Sequence, residues 1–194
     1  MKRSLKIYLQ PTSEPVSLEA AKQQLIMRPE EGRGDDGYIQ GLIAVARKAC
    51  EDILDRALMP QTWDMKLNRF PCRDNFIEIP RPPLQSVTFV KYKDGGGELQ
   101  TLSASTYIVD TDSEPGCIVL KNRETWPNAY DEAQAVQIRF VAGYATADDV
   151  PWTVRQAILL KLTDLYMNRG DSAPNEAVDK AILALLGPER IMHI

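Results

Sequence analysis

Residues 150–169 form the most apolar long helical pattern in the chain, and the rest must be organised around it. Val154, Ile158, Leu162, Leu165 and Tyr166 share one helical face, while Leu159, Leu160, Thr163 and Met167 widen the apolar surface well beyond a single stripe. Pro151 stands in the first turn, where its missing N–H costs nothing, and Gly170 follows as a C-terminal stop. A helix apolar over so much of its circumference must be covered on more than one side. The cover comes from elsewhere in the chain or from a neighbouring subunit.

Two other helical patterns precede it. Ser17 is placed to cap a helix over 17–28 carrying Leu18, Ala21, Lys22 and Leu25, with Val16 packing back on its first turn. A polar, Gly-rich run over 30–37 then reads as a loop. Asp35 or Asp36 caps a helix over 36–57, in which Ile39, Leu42, Ile43, Ala46, Ala49, Cys50, Ile53 and Leu54 make a clean stripe opposite Gln40, Arg47, Lys48, Glu51 and Asp55. That stripe suits one side of the helix over 151–169.

From Gln61 the period changes to two. Trp63, Met65 and Leu67 alternate with polar residues, as do Val136, Ile138 and Phe140, and 87–92 is β-branched and aromatic. Further strands are expected over 76–79, 106–109 and 117–120, with turns at 80–83, 94–97 and 114–116. With no helical pattern between them, the sheet should be mostly antiparallel. The expected fold is α+β: a bundle of N- and C-terminal helices with a β block over 61–145 inserted between them. Residues 1–170 would form one domain, followed over 171–194 by a linker and a helical arm. On that arm Val178, Ala181, Ile182, Leu185 and Leu186 repeat at helical spacing. A helix so short is marginal alone and must dock, either on its own domain or in a groove on a partner.

A chain of 194 residues buries about 70% of its unfolded surface without metals or disulfides. With 26% charged and 44% apolar residues, the composition is that of an ordinary soluble globular protein. A net charge of −4, with 23 basic residues scattered among 27 acidic ones, argues against tight binding of nucleic acid. Cys50, Cys72 and Cys117 have neither disulfide nor zinc spacing and are expected as reduced thiols. The apolar run over 5–9 is too short for a signal peptide, and no stretch is apolar for long enough to span a membrane.

Catalytic patterns are missing. The lone histidine, His193, stands beside the C-terminus, where it is badly placed to serve as a base. Gly95-Gly96-Gly97 lacks the residues of a phosphate cradle and reads as a hairpin turn. Asp35-Asp36 and Asp148-Asp149 each precede a helix and read as caps, although a metal between the two pairs would point to an enzyme. Arg169-Gly170-Asp171 is a helix end. Trp63, Trp126 and Trp152 read as packing residues, unless they converge on one pocket as a small ligand- or carbohydrate-binding module would require. No enzyme, cofactor or metal is expected.

Particular words of the sequence carry a resemblance. They are Val16-Ser17-Leu18-Glu19-Ala20-Ala21-Lys22, Ala46-Arg47 through Glu51 to Arg56-Ala57-Leu58, Gln61-Thr62-Trp63, and Ile79-Pro80-Arg81-Pro82-Pro83-Leu84-Gln85-Ser86-Val87. Phe140-Val141-Ala142-Gly143-Tyr144, Val150-Pro151 and Arg155-Gln156-Ala157-Ile158-Leu159 complete the set. In this order, over about 16–170, the chain resembles the head-tail connector (adaptor) proteins of tailed phages and prophages. The arginine that usually follows the lysine of the first helix is displaced here to Arg28.

The resemblance implies a structural virion protein, made in the host cytoplasm and built into the connector at the capsid vertex of a phage, prophage or gene transfer particle. It would form a ring of about twelve copies beneath the portal protein, extending the DNA channel toward the tail. Partners would be the portal, copies of itself, a stopper or tail-completion protein, and genomic DNA passing through without specific binding, with no membrane. A role as the stopper or tail-completion protein itself is the neighbouring alternative. Adaptors attach to the portal through their C-terminal parts, which implies partner contacts by Val178, Ala181, Ile182, Leu185 and Leu186.

Overall fold

The structure, a computed structural model, describes residues 3–26, 35–130, 132–169 and 175–191. Helical and strand periods segregate into two units, Met1–Thr12 with Pro60–Tyr144 and Ser13–Met59 with Ala145–Ile194. The fold is α+β, as expected.

The first unit contains β1 (Arg3–Leu9), β2 (Gln61–Leu67), β3 (Phe76–Glu78), β4 (Leu84–Lys93), β5 (Leu99–Thr101), β6 (Tyr107–Asp110), β7 (Cys117–Leu120) and β8 (Val136–Ala142). A five-stranded sheet runs β1-β2-β8-β4-β5 and a three-stranded one β3-β7-β6. Every pairing is antiparallel. Register follows burial: Trp63 faces Phe140, Met65 faces Ile138 and Leu67 faces Val136, and all six side chains are buried. A slip of one residue would turn that whole set to water, so the pattern holds the register.

Two strands were not expected. β1 was read only as a short apolar run, and β5 is exposed along its length. Both are edge strands: β5 is only three residues long, and β1 alternates Leu5, Ile7 and Leu9 with Ser4, Lys6 and Tyr8 but buries none of them fully, so it passes for a short apolar run. The turn over 94–97 is the hairpin the sequence suggested. Asp94 Oδ1 accepts from Gly96 N and Glu98 N, and Gly97 takes φ +85°, which favours glycine. Gly116 is needed for closeness instead: a Cβ there would lie 2.6 Å from Leu84 Cβ.

The second unit contains α1 (Leu18–Gln24), α2 (Asp36–Leu54), α3 (Trp152–Met167) and α4 (Glu176–Leu186). Ser17 caps α1 as expected, its Oγ accepting from Ala20 N at 3.1 Å, and Val16 is buried. The helix stops sooner than the sequence suggested, with Leu25 as its cap and Ile26 at φ +57°. Arg28 and most of the Gly-rich run lie outside the described residues. α2 ends at Leu54 because Asp55 turns left-handed at φ +55°. Pro151 is the N-cap of α3 rather than part of its first turn, and Gly170 lies outside the described residues.

α3 packs against α2, α4 and α1, so three helices of its own unit share its broad apolar surface. The core between them is Ile39, Ile43, Ala46, Cys50 and Leu54 of α2 with Val154, Ala157, Ile158 and Leu162 of α3. Leu42, Ile53 and Leu165 are half-buried at its margin.

Candidate functional site

Several words that carried the resemblance turn out to be structural locks. Arg47 is buried on α2; its Nε donates to Glu14 Oε2 at 2.7 Å and its Nη1 to Glu51 Oε2 at 2.9 Å. The other oxygen of Glu51 accepts from Leu58 N at 2.9 Å, fixing the chain where it leaves the helix. Burial opposes the charge of Arg47, but the hydrogen bond to Glu14 and the charge of Glu51 outweigh it and hold its pKa above the usual value. Arg56 Nε donates to Glu189 O at 2.7 Å, tying the end of the chain to the same helix exit. In the other unit, Gln85 Nε2 donates to Gly143 O and Gly143 N to Pro83 O, joining the two words around 79–87 and 140–144. These residues specify a shape; none is poised for chemistry.

The acidic pairs are likewise engaged. Asp35 stands at the N-cap of α2, but its side chain caps nothing. It accepts instead from Arg169 Nη2 and Tyr166 Oη, each at 3.0 Å, and the bond from Arg169 holds its pKa below the usual carboxylate range. The Arg169 guanidinium lies in the notch between the tilted rings of Tyr38 and Tyr166, 4.4 and 4.0 Å from their centres. Asp36 pairs with Lys22 at 2.5 Å, Asp148 with Arg155 at 3.5 Å, and Asp149 closes a capping box with Thr146. Among the described residues no group of acidic, Cys or His side chains is disposed to hold a metal. His193 lies outside them.

Each tryptophan has its own local partner: Trp63 lies 5.8 Å from Arg81, Trp126 stacks on Phe70 at 5.0 Å, and Trp152 carries Arg155 at 3.9 Å. Two open clefts of about 630 and 620 Å³ share the segment 69–74, and neither is lined by more than one tryptophan. All three cysteines are free. Burial beside Glu51 pushes the Cys50 thiol up to about 12.

On α4, Ile182 and Leu186 are buried, Val178 and Leu185 half-buried, and Ala181 exposed. Ile182 and Leu183 face Ala49, Cys50 and Ile53 of α2 across a pocket of about 340 Å³, and Lys161 of α3 bridges to Asp179 at 3.2 Å. The arm is therefore seated on its own unit here. Ala181 stays exposed and Leu183 is half-exposed at the rim of that pocket, and α3 leaves Trp152 (77% exposed) and Met167 (72%) uncovered at its two ends.

A further surface went unnoticed in the sequence: the outward face of the five-stranded sheet. Arg139 holds Asp64 through two bonds of 2.7 and 2.8 Å, lies 3.4 Å from the Tyr8 ring centre and 5.2 Å from that of Phe89. Four strands thus contribute to one row. The alternate polar positions Asp64 and Arg139 are the available signal, but their pairing depends on the order β2-β8, and Tyr8 stands on β1, whose place beside β2 is set by the fold.

No family model matches the chain, and no curated protein sequence does. Solved structures do. A chain in the neck of an empty gene transfer agent (GTA) particle, computed with C6 symmetry, superimposes with a TM-score of 0.80 at 19% identity, over 98% of this chain and 97% of that one. A chain in the virion of a native gene transfer agent particle gives 0.77 at 20% identity over 98% and 96%. One in the neck of a native GTA particle, computed with C12 symmetry, gives 0.68 at 19% identity over 97% of each chain. The chain therefore shares, along nearly its whole length, the fold of chains found in gene transfer agent particles.

Proposed function

We propose that this chain is a structural virion protein, an adaptor of the head-tail connector. Residues 1–170 would be its body and 171–194 its arm. About twelve copies form a ring beneath the portal protein, extend the DNA channel and hand it on to a stopper or tail-completion protein. The observation that carries this reading is the end-to-end likeness of fold to a chain from a gene transfer agent neck, where the symmetry is cyclic. The sequence words point the same way, and their residues act as locks of the fold rather than as catalytic groups. A ring subunit buries two different faces of itself, which suits the uncovered Trp152, Met167 and Leu183.

Portal attachment is assigned to the arm, with a division of labour among its apolar residues. Ile182 and Leu186 hold α4 to the bundle, and Val178, Ala181 and Leu185 keep surface for the partner. Negative-stain imaging of the chain mixed with its portal tests the reading. A ring stacked coaxially on the portal is expected; failure to associate, or a tight closed dimer in the chain alone, counts against it.

A further inference from the structure

The charge of this chain is unevenly divided. The β unit holds 12 of the 23 basic residues but only 11 of the 27 acidic ones, so it is slightly positive while the helical unit carries the whole negative excess. Within the β unit, positive charge gathers on the outward face of the five-stranded sheet. Residues directly opposite in a register share a face, which places Lys6 beside Asp64, Asp64 beside Arg139, and Lys66, Gln137 and Lys91 in one row across three strands. Two strand spacings separate Lys66 from Lys91, about 10 Å.

The acids of this face are already used. Asp64 is taken by Arg139, and Glu132 by Lys93. Lys6, Lys66 and Lys91 have no carboxylate partner among the described residues; Lys66 bonds to Gln134 and Lys91 lies over the Phe89 ring at 4.7 Å. Elsewhere most lysines are paired: Lys22 with Asp36, Lys48 with Asp52, Lys161 with Asp164 and Asp179, and Lys180 with Glu176.

We propose that this sheet face, through Lys6, Lys66 and Lys91, is a weak, sequence-independent contact surface for the phosphate backbone of duplex DNA. Protein interfaces are depleted in lysine and centre on apolar anchors, whereas the middle of this face is lysine-rich, its Tyr8 and Phe89 are engaged by cations, and its exposed Leu9 and Leu99 stand apart on the two edge strands. Phosphate contacts need cations and no base-reading geometry. Three lysines in a net acidic chain give an attraction that salt screens readily, which suits DNA that must slide past rather than be held. The assignment deepens the connector reading by naming the surface that meets the conduit's contents.

The test is fluorescence anisotropy of a labelled 30-base-pair duplex titrated with the full chain from about 20 to 200 mM salt. The wild type should bind measurably at the lowest salt and lose affinity as salt rises. The variant Lys6→Glu/Lys66→Glu/Lys91→Glu should bind at least tenfold more weakly, with a salt slope shallower by about two to three units. The off-face variant Lys121→Glu/Arg123→Glu/Lys180→Glu, of equal net charge, should stay within threefold of wild type. Should the first variant fail to fold by circular dichroism, Lys6→Gln/Lys66→Gln/Lys91→Gln takes its place with the same ordering.

No binding by the wild type, or equal losses in the two variants, overturns the assignment. So does a face variant that keeps its DNA affinity but changes its sedimentation by self-association, which would give the face to a second copy. Portal association is measured on the same samples. A chain that rings on its portal without lysine-dependent DNA binding overturns this inference alone, and one that binds DNA through the face but ignores the portal overturns the connector reading.

Discussion

Glu51 has an exacting environment. One oxygen meets the buried Arg47 and the other the amide of Leu58, so a single carboxylate satisfies both a buried cation and the backbone at the helix exit. Glu51→Ala should therefore cost about 3–5 kcal/mol in denaturant titration, because it leaves Arg47 short of a partner in a buried site. Glu51→Gln, which keeps the shape and an acceptor, should cost less. Beside it, Cys50 is fully buried and its thiol is held neutral up to about 12. At pH 8, thiol-modifying reagents should label the exposed Cys72 rapidly and Cys50 only on unfolding. The linkage has a definite sign. A thiol whose folded pKa is raised contributes fully below its unfolded value of about 9, and that contribution is lost as pH rises toward 12. The apolar stripe carries Cys50 into the core, but the same periodicity puts Arg47 and Glu51 on the solvent side, so their burial is not legible in the sequence. Helical periodicity assigns faces but cannot know that a second segment, carrying Glu14, lies across the polar one.

At the scale of elements, long periodic segments were read well and edges poorly. α2 and α3 pack as their stripes require, and Leu162, wholly buried between helices, should cost about 2–5 kcal/mol when cut to alanine. A loss under about 1 kcal/mol by urea titration would remove this residue from the core. β5 is three residues long, too short to show a period, whereas β1 carries the alternation Leu5, Ile7, Leu9, and only its pairing to β2 distinguishes it from a short apolar run. For the arm, amphipathicity established that it docks but not where, since an apolar stripe is blind to the identity of its receiver. The seat on α2 and α3 has a consequence: deleting residues 171–194 should lower the thermal midpoint and open Cys50 to thiol reagents at pH 8. An unchanged midpoint with Cys50 still protected would mean that the arm contributes nothing to the bundle.

For the whole molecule, the connector reading predicts weak contacts between free subunits. In dilute solution the chain should be a monomer or a mixture of small oligomers by light scattering, with rings appearing on the portal or at high concentration. A dimer persisting at nanomolar concentration would contradict that. The sequence by itself determined the fold class, the succession of the long helical and strand segments between 17 and 169, the register-setting apolar residues and the absence of a catalytic pattern, because each follows from local periodicity or composition; that the sheet begins with β1, ahead of the helices, it did not determine. The tertiary structure alone decided that Asp35 clamps Arg169 instead of capping its helix, that Glu51 joins Arg47 to Leu58, and that Asp64 and Arg139 meet beneath Tyr8. It alone decided that three lysines without a carboxylate partner among the described residues share one sheet face. Those facts depend on which strand lies beside which and which helix crosses which, and neighbours distant in the chain are chosen by the packing of the whole core rather than by any local pattern.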